Sequence, residues 1–192
     1  MAIPLIVPGL RGSGPDHWQT WLERQLPAAQ RVQQAAWDAP DLLRWSIAVA
    51  NHIGRLDAPV VLIGHSFGAL AAALAGSVRS DWIAAAFLVA PADPVKFGTT
   101  HLLPRRPLPF PSMVVASTND PWVSHEVARG WAARWDSRFV SVGPLGHINA
   151  DSGHGPWPQG LALLGELPGA LWSQPAMPRR LAQCANAAAF AA

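Results

Sequence analysis

One cysteine and no tyrosine occur among 192 residues. Cys184 alone cannot form an internal disulfide, and it lies far from any Cys or His cluster with metal-ligand spacing. Neither a disulfide framework nor a structural metal site is expected, and a reducing, cytoplasmic setting is the simplest fit. Charge is also scarce: 14% of residues are charged, with 14 Lys and Arg against 12 Asp and Glu, where an ordinary domain carries about a quarter. Only Arg105-Arg106 and Arg179-Arg180 set two basic residues side by side, so there is no basic stripe for nucleic acid. The longest strongly apolar run, Trp82 to Pro91, is about half of the roughly 20 residues a bilayer requires, so no membrane association is expected. Met1-Ala2 leads straight into Ile3-Pro4-Leu5-Ile6-Val7 without a basic segment, and no signal peptide is expected.

Half of the residues are apolar, which is ample for one buried core at this length. Residues 1–172 read as a single domain. Residues 173–192, with Pro175, Pro178 and an Ala-rich end, read as a flexible or weakly helical tail.

Short aliphatic runs alternate with segments of helical period, the pattern of an α/β fold with helices on both faces of a mostly parallel sheet of about six strands. Ile3 to Val7, Val60 to Ile63, Ala84 to Val89, Met113 to Ala116 and Phe139 to Val142 read as buried strands. Spacing alone places a further strand near Arg31 to Ala36, although Gln33-Gln34 interrupts its apolar run. Helices are expected over Asp16 to Leu26, Asp41 to Leu56, Phe67 to Ser77, Ser124 to Trp135 and Pro158 to Leu167, with Asp41 and Ser124 as caps. Trp45, Trp131 and Trp135 fall at helical spacing with apolar neighbours and read as core anchors. Six prolines between Pro91 and Pro111 make that stretch an irregular connection.

Gly64-His65-Ser66-Phe67-Gly68 follows the strand Val60 to Ile63 and precedes a small-residue helix. Strand, tight turn and helix are the context of a G-x-S-x-G nucleophile elbow, whose glycines let a strained turn lift the serine hydroxyl into a crevice. A serine hydroxyl needs a base to become nucleophilic and a carboxylate to fix the imidazole tautomer, in the chain order Ser, acid, His. Asp93 and Asp120 both follow strands downstream of Ser66; Asp120 sits one strand before the glycine turn that carries His147, so Asp120 and His147 are the expected partners, with Asp93 the alternative acid. His52, His101 and His125 read as solvated or packed residues.

Acyl transfer also needs donors for a developing oxyanion. The Phe67 N–H after the serine is one candidate, and the Leu10 N–H, in the Pro8-Gly9-Leu10 turn after the first strand, is the other. The same Gly9 to Gly14 stretch lacks both G-x-G-x-x-G and the Walker pattern, so no nucleotide is expected, and the chemistry calls for no metal or cofactor. Trp18, Trp122 and Trp157 are candidate walls of an apolar pocket.

These residues resemble the small serine hydrolases grouped with YdeN and retinoblastoma-binding protein nine. The likeness runs over roughly residues 3 to 167: Ser13-Gly14-Pro15-Asp16-His17-Trp18-Gln19, Trp37 with Pro40-Asp41 and Trp45, the elbow, Ala90-Pro91-Ala92-Asp93-Pro94, Ser117-Thr118-Asn119-Asp120-Pro121 and Gly146-His147-Ile148-Asn149-Ala150-Asp151-Ser152-Gly153. The resemblance implies a compact three-layer α/β-hydrolase fold with Ser66, Asp120 and His147 as nucleophile, acid and base, and it makes Asp93 a structural turn. The short connection from Ala90 to Met113 leaves no room for a cap domain. His154 departs from the usual aromatic of the family. The L-x-C-x-E pattern of the retinoblastoma contact is absent, since Cys184 stands in Leu181-Ala182-Gln183-Cys184-Ala185. The expected activity is hydrolysis of small esters or amides through an acyl-enzyme; the alternative is a non-catalytic binding module on the same fold.

Overall fold

A computed structural model describes residues 1–169. The boundary expected at residue 172 and the tail over 173–192 lie outside the described residues.

Six strands form one parallel sheet: β1 (Ile3–Val7), β2 (Gln30–Arg31), β3 (Val60–His65), β4 (Ile83–Val89), β5 (Ser112–Ala116) and β6 (Arg138–Ser141), in the order β2-β1-β3-β4-β5-β6. The chain winds outward from β1 to β2, then crosses back over β1 to lay down β3. The loops after β1 and β3 therefore leave the sheet side by side in opposite directions and open a crevice at their carboxyl ends. Val7 pairs with Gly64, so the Pro8-Gly9 turn lies against the serine turn.

Alternation along the strands sorts the core into two layers. Leu5, Val7, Leu62, Leu88 and Val114 face helices α2 (Leu42–Ile53), α3 (Phe67–Val78) and α4 (His125–Trp135). Ile6, Ile63, Phe87 and Val115 face α1 (Trp18–Gln25) and α5 (Pro158–Gly165). The middle strands β3 and β4 are covered on both sides, which is why they read as unbroken apolar runs. Asp41 and Ser124 cap α2 and α4 as expected, accepting from Arg44 N–H at 3.0 Å and Val127 N–H at 3.2 Å. No helix among the described residues is long and apolar enough to cross a membrane.

Four sequence expectations shift. The last strand, read as buried over Phe139 to Val142, is the edge strand Arg138–Ser141, whose residues are half-buried or exposed because no described strand pairs beyond it. The second strand is Gln30–Arg31 rather than Arg31 to Ala36; it is an edge strand whose ladder runs out once Val32 N–H has reached Ile6 C=O at 2.9 Å, and Ala35 and Ala36 are exposed. Helix α1 begins after Asp16, because the side chain that caps it is His17, accepting from Gln19 N–H at 3.1 Å. In α4 the small residues Ala128 and Ala132 face the sheet together with Trp135. Trp131 is left half-buried at the edge of that layer, with the Arg134 guanidinium over its ring.

The connection from β4 to β5 is irregular apart from a single turn of 3-10 helix over Thr100–Leu102. Its Leu103, Leu108 and Phe110 are buried, and Trp135 Nε1–H donates to Pro104 C=O at 3.0 Å. It closes the side of the core and places no folded cap above the crevice.

Candidate active site

The turn from β3 into α3 holds Ser66 at φ 53°, ψ −125°, a conformation that costs a non-glycine residue about 1 to 3 kcal/mol. The surrounding glycines enforce it by close approach. A Cβ on Gly64 would lie 2.6 Å from the Ala69 Cα, and one on Gly68 would collide with the carbonyls of Val7 and Pro8. Opposite them, a Cβ on Gly9 would stand 2.9 Å from the Ser66 Cβ and 3.1 Å from the His65 carbonyl. The loop after β1 is thus pressed onto the serine turn, and only glycine fits between them.

The Ser66 hydroxyl lies 2.9 Å from His147 Nε2, and His147 Nδ1 lies 2.7 Å from Asp120 Oδ2. Asp120 is aimed by its own turn: Oδ1 accepts from the Trp122 N–H at 2.8 Å and the Val123 N–H at 3.3 Å, which leaves Oδ2 for the imidazole. Asp93 also lines the cavity but makes no bond to His147; its Oδ1 accepts from Val95 N–H at 3.0 Å. The structure therefore brings Ser66, Asp120 and His147 together and leaves Asp93 outside the chain of hydrogen bonds. His52, His101 and His125 play no part in it; His52 and His125 bond Gln30 and Ser141, far from the crevice in the sheet.

Four side chains hold the His147 loop; three of them, Asn119, Ser117 and His65, are absent from the sequence-level candidates, and the fourth, Trp18, is among those only as an expected pocket wall. Asn119 Oδ1 accepts from Gly146 N–H at 2.7 Å, and Ser117 Oγ accepts from Leu145 N–H at 2.9 Å. Trp18 Nε1–H donates to Ile148 C=O at 2.8 Å, and His65 Nε2–H donates to His147 C=O at 3.0 Å. Gln19, wholly buried, ties the two strands beneath, its Nε2 donating to Val7 C=O at 3.2 Å and Ile63 C=O at 2.9 Å. The sequence signal was the cluster His17-Trp18-Gln19 itself, polar and aromatic groups at a helix start that no surface would require.

Burial pushes the His65 imidazole well below its ordinary range, with the His17 and His147 rings adding to the effect. His17 is pushed down to about 3 by burial and by the Arg31 guanidinium. Both rings are neutral at ordinary pH. They stack in sequence toward His147, His17 edge-on to His65 at 4.8 Å between centroids and His65 at 4.9 Å from His147.

A cavity of about 440 Å³ opens over Ser66. On one side Leu10, Ala92 and Phe97 line it, all packed on the α2/α3/α4 layer; on the other side stand His17, Asn149 and Asp151. Of the three candidate tryptophans only Trp122 lines it, 62% exposed at the rim. Trp18 and Trp157 are buried against each other in the α1/α5 layer, 5.3 Å between ring centroids, where they serve packing. Phe67 N–H belongs to the first turn of α3, where helix amides have no internal acceptor. Neither it nor the Leu10 N–H donates to another backbone group among the described residues.

The family profile described as serine hydrolase matches residues 4–166. A solved YdeN-like hydrolase from Pectobacterium atrosepticum is 44% identical, covering 86% of this chain and 90% of its own, with a TM-score of 0.82. The ydeN gene product of Bacillus subtilis is 20% identical over 86% of this chain and 97% of its own, with a TM-score of 0.71. Est1E from Butyrivibrio proteoclasticus, solved with ferulic acid bound, shares the fold at 17% identity, covering 78% of this chain and 82% of its own, with a TM-score of 0.63. No curated protein matches the chain in sequence.

Proposed function

The chain belongs to the serine hydrolase family, and from that premise we propose that it cleaves small carboxylic esters or amides through an acyl-enzyme formed on Ser66. The observation that carries the reading is the unbroken run of hydrogen bonds from Asp120 through His147 to Ser66, at the floor of a cavity. Ser66 Oγ attacks the substrate carbonyl carbon while His147 Nε2 takes its proton. The carbon–leaving-group bond then breaks, and His147 returns the proton to the departing oxygen or nitrogen. Water, deprotonated in turn by His147, attacks the acyl carbon and releases the acid and free Ser66. Asp120 keeps Nδ1 protonated and stabilises the imidazolium that forms at each step. The Leu10 and Phe67 N–H groups receive the oxyanion, each worth about 2.7 to 4 kcal/mol in the transition state. A strained serine between three crowded glycines has no use in a binding scaffold, and this favours catalysis over the binding-module reading.

Intact-mass spectrometry after treatment with a fluorophosphonate tests this without knowledge of the substrate. One adduct on the wild type and none on Ser66→Ala is the expected result. Folded wild-type protein that takes no adduct at neutral pH sinks the proposal.

A further inference from the structure

His17 is buried, 5% exposed, and lines the cavity over Ser66. Its Nδ1 accepts the Gln19 N–H at 3.1 Å as the cap of α1, so Nδ1 carries no proton and the neutral ring must carry its proton on Nε2. That Nε2–H meets no acceptor among the described residues. Nε2 itself is not wholly buried, so at the wall of this ligand-sized space it is free to donate to a bound molecule.

The side of the cavity matters as well. Leu10, Ala92 and Phe97 form an apolar half over one core layer, bordered by Asp93 and Lys96 of the same segment, which also line the cavity. His17 belongs to the other half, with Asn149 and Asp151, and the ring row His17–His65–His147 places it on the same side of Ser66 as the base. In the reaction proposed above, His147 must hand its proton to the leaving group, so the leaving group occupies that half and the acyl chain the apolar one.

Resting on that reading of the site, we propose that His17 is a substrate-binding residue whose Nε2–H donates to an acceptor oxygen in the leaving group. The preferred substrates are then esters of a short apolar acid with an alcohol that carries an ether, hydroxyl or carbonyl oxygen near the scissile bond. The ring is suited to a neutral acceptor: burial and Arg31 keep it uncharged, so it offers one directed donor with no cation beside the base.

The test compares 2-methoxyethyl butyrate with n-butyl butyrate, two esters of the same acid whose alcohols differ in one oxygen. Two variants separate the two jobs of His17. His17→Asn keeps an acceptor at the cap position and removes the donor at the cavity wall; His17→Gln places an amide N–H near the former Nε2. For His17→Asn, kcat/KM for the methoxyethyl ester should fall about five- to tenfold, the loss of one neutral hydrogen bond, while the n-butyl ester changes less than about twofold. His17→Gln should retain the preference of the wild type, even if it melts earlier. Equal losses on both esters with fluorophosphonate labelling intact, or a preference lost equally in both variants, overturn the assignment of His17 and leave the nucleophile standing. A wild type that neither labels nor turns over either ester removes the proposed reaction and this inference with it.

Discussion

His65, the residue before Ser66, donates from Nε2 to the backbone carbonyl of His147 at 3.0 Å. One turn thus presents the hydroxyl and also holds the loop of the proposed base. His65 lies on the strand parity of Val61 and Ile63, so its ring is on the α1/α5 side, next to the His147 ring and bordering the cavity. Replacing it with Ala strands a buried carbonyl and opens a void beside the imidazole. We expect His65→Ala to lower kcat by about 10- to 100-fold, since a small misplacement of a catalytic group has that effect, and to lower the melting temperature. His65→Gln, which can renew the donor, should recover most of the rate. Turnover of p-nitrophenyl butyrate and thermal denaturation measure both; an Ala variant with unchanged kcat would show that the His147 loop needs no such support.

Asp93 and Asp120 both sit after strands on the crevice face, and their hydrogen bonds tell them apart. Asp120→Asn should cost about 10⁴ in kcat, the cost of losing tautomer control in such triads. Asp93→Asn keeps the side-chain oxygen that accepts from the Val95 N–H and should stay within about threefold of wild type, as a surface turn substitution does. Steady-state kinetics of the two variants decide the acid, and a reversal of their order would move the role to Asp93.

Local chemistry made much of this legible before any coordinates: apolar runs for β3 and β4, caps at Asp41 and Ser124, and the serine turn between glycines. The pairing of Asp120 with His147 was legible through chain order, because the β5 loop with Asp120 and the β6 loop with His147 are neighbours in a sheet laid down sequentially on that side. Long-range partners were not. Gln19 reaches Val7 and Ile63, a junction that follows from the β1/β3 reversal, and Trp18 reaches Ile148, on a loop 130 residues away; no local pattern encodes either. The edge strand was misplaced for a related reason, since a two-residue pairing leaves no periodicity to read.

The conformation of Ser66 carries a stability prediction independent of catalysis. At φ 53° a Cβ is strained and glycine is not. Ser66→Gly should therefore be more stable than Ser66→Ala by about 1 kcal/mol, the strain relieved outweighing glycine's greater freedom in the unfolded chain. Urea denaturation of the two variants gives the comparison directly, and an Ala variant as stable as the Gly variant would mean that the turn stores no strain.

His17 and His65 are both held neutral by burial, His17 with a value of about 3 against an ordinary 6.5. Above pH 6.5 neither the folded nor the unfolded chain binds these protons, and stability is at its plateau. Below that pH the unfolded chain takes them up and the folded one refuses, so stability falls by up to about 1.4 kcal/mol per pH unit for each ring. The decline due to His17 continues toward pH 3. His17→Asn removes one of these groups, so its urea midpoint should fall less steeply than that of the wild type between pH 6.5 and pH 4.5. Parallel curves for the two proteins would refute the buried neutral state of His17.

Gly9 tests the oxyanion arrangement most directly, because its substitution touches neither the hydroxyl nor the imidazole. The Cβ of an alanine there would stand 2.9 Å from the Ser66 Cβ and 3.1 Å from the His65 carbonyl. One of the two loops must retreat. The loop after β1 is the freer to move, since β3 and α3 grip the serine turn on both sides, and its retreat carries the Leu10 N–H away from the carbonyl oxygen of a bound substrate. Gly9→Ala should then lower kcat by about 10² to 10³, the cost of one lost oxyanion donor, with little change in KM because the donor acts on charge that develops only in the transition state. Fluorophosphonate labelling, which passes through a comparable oxyanion, should slow in proportion. A Gly9→Ala enzyme that folds and keeps its kcat would place the second donor elsewhere than Leu10.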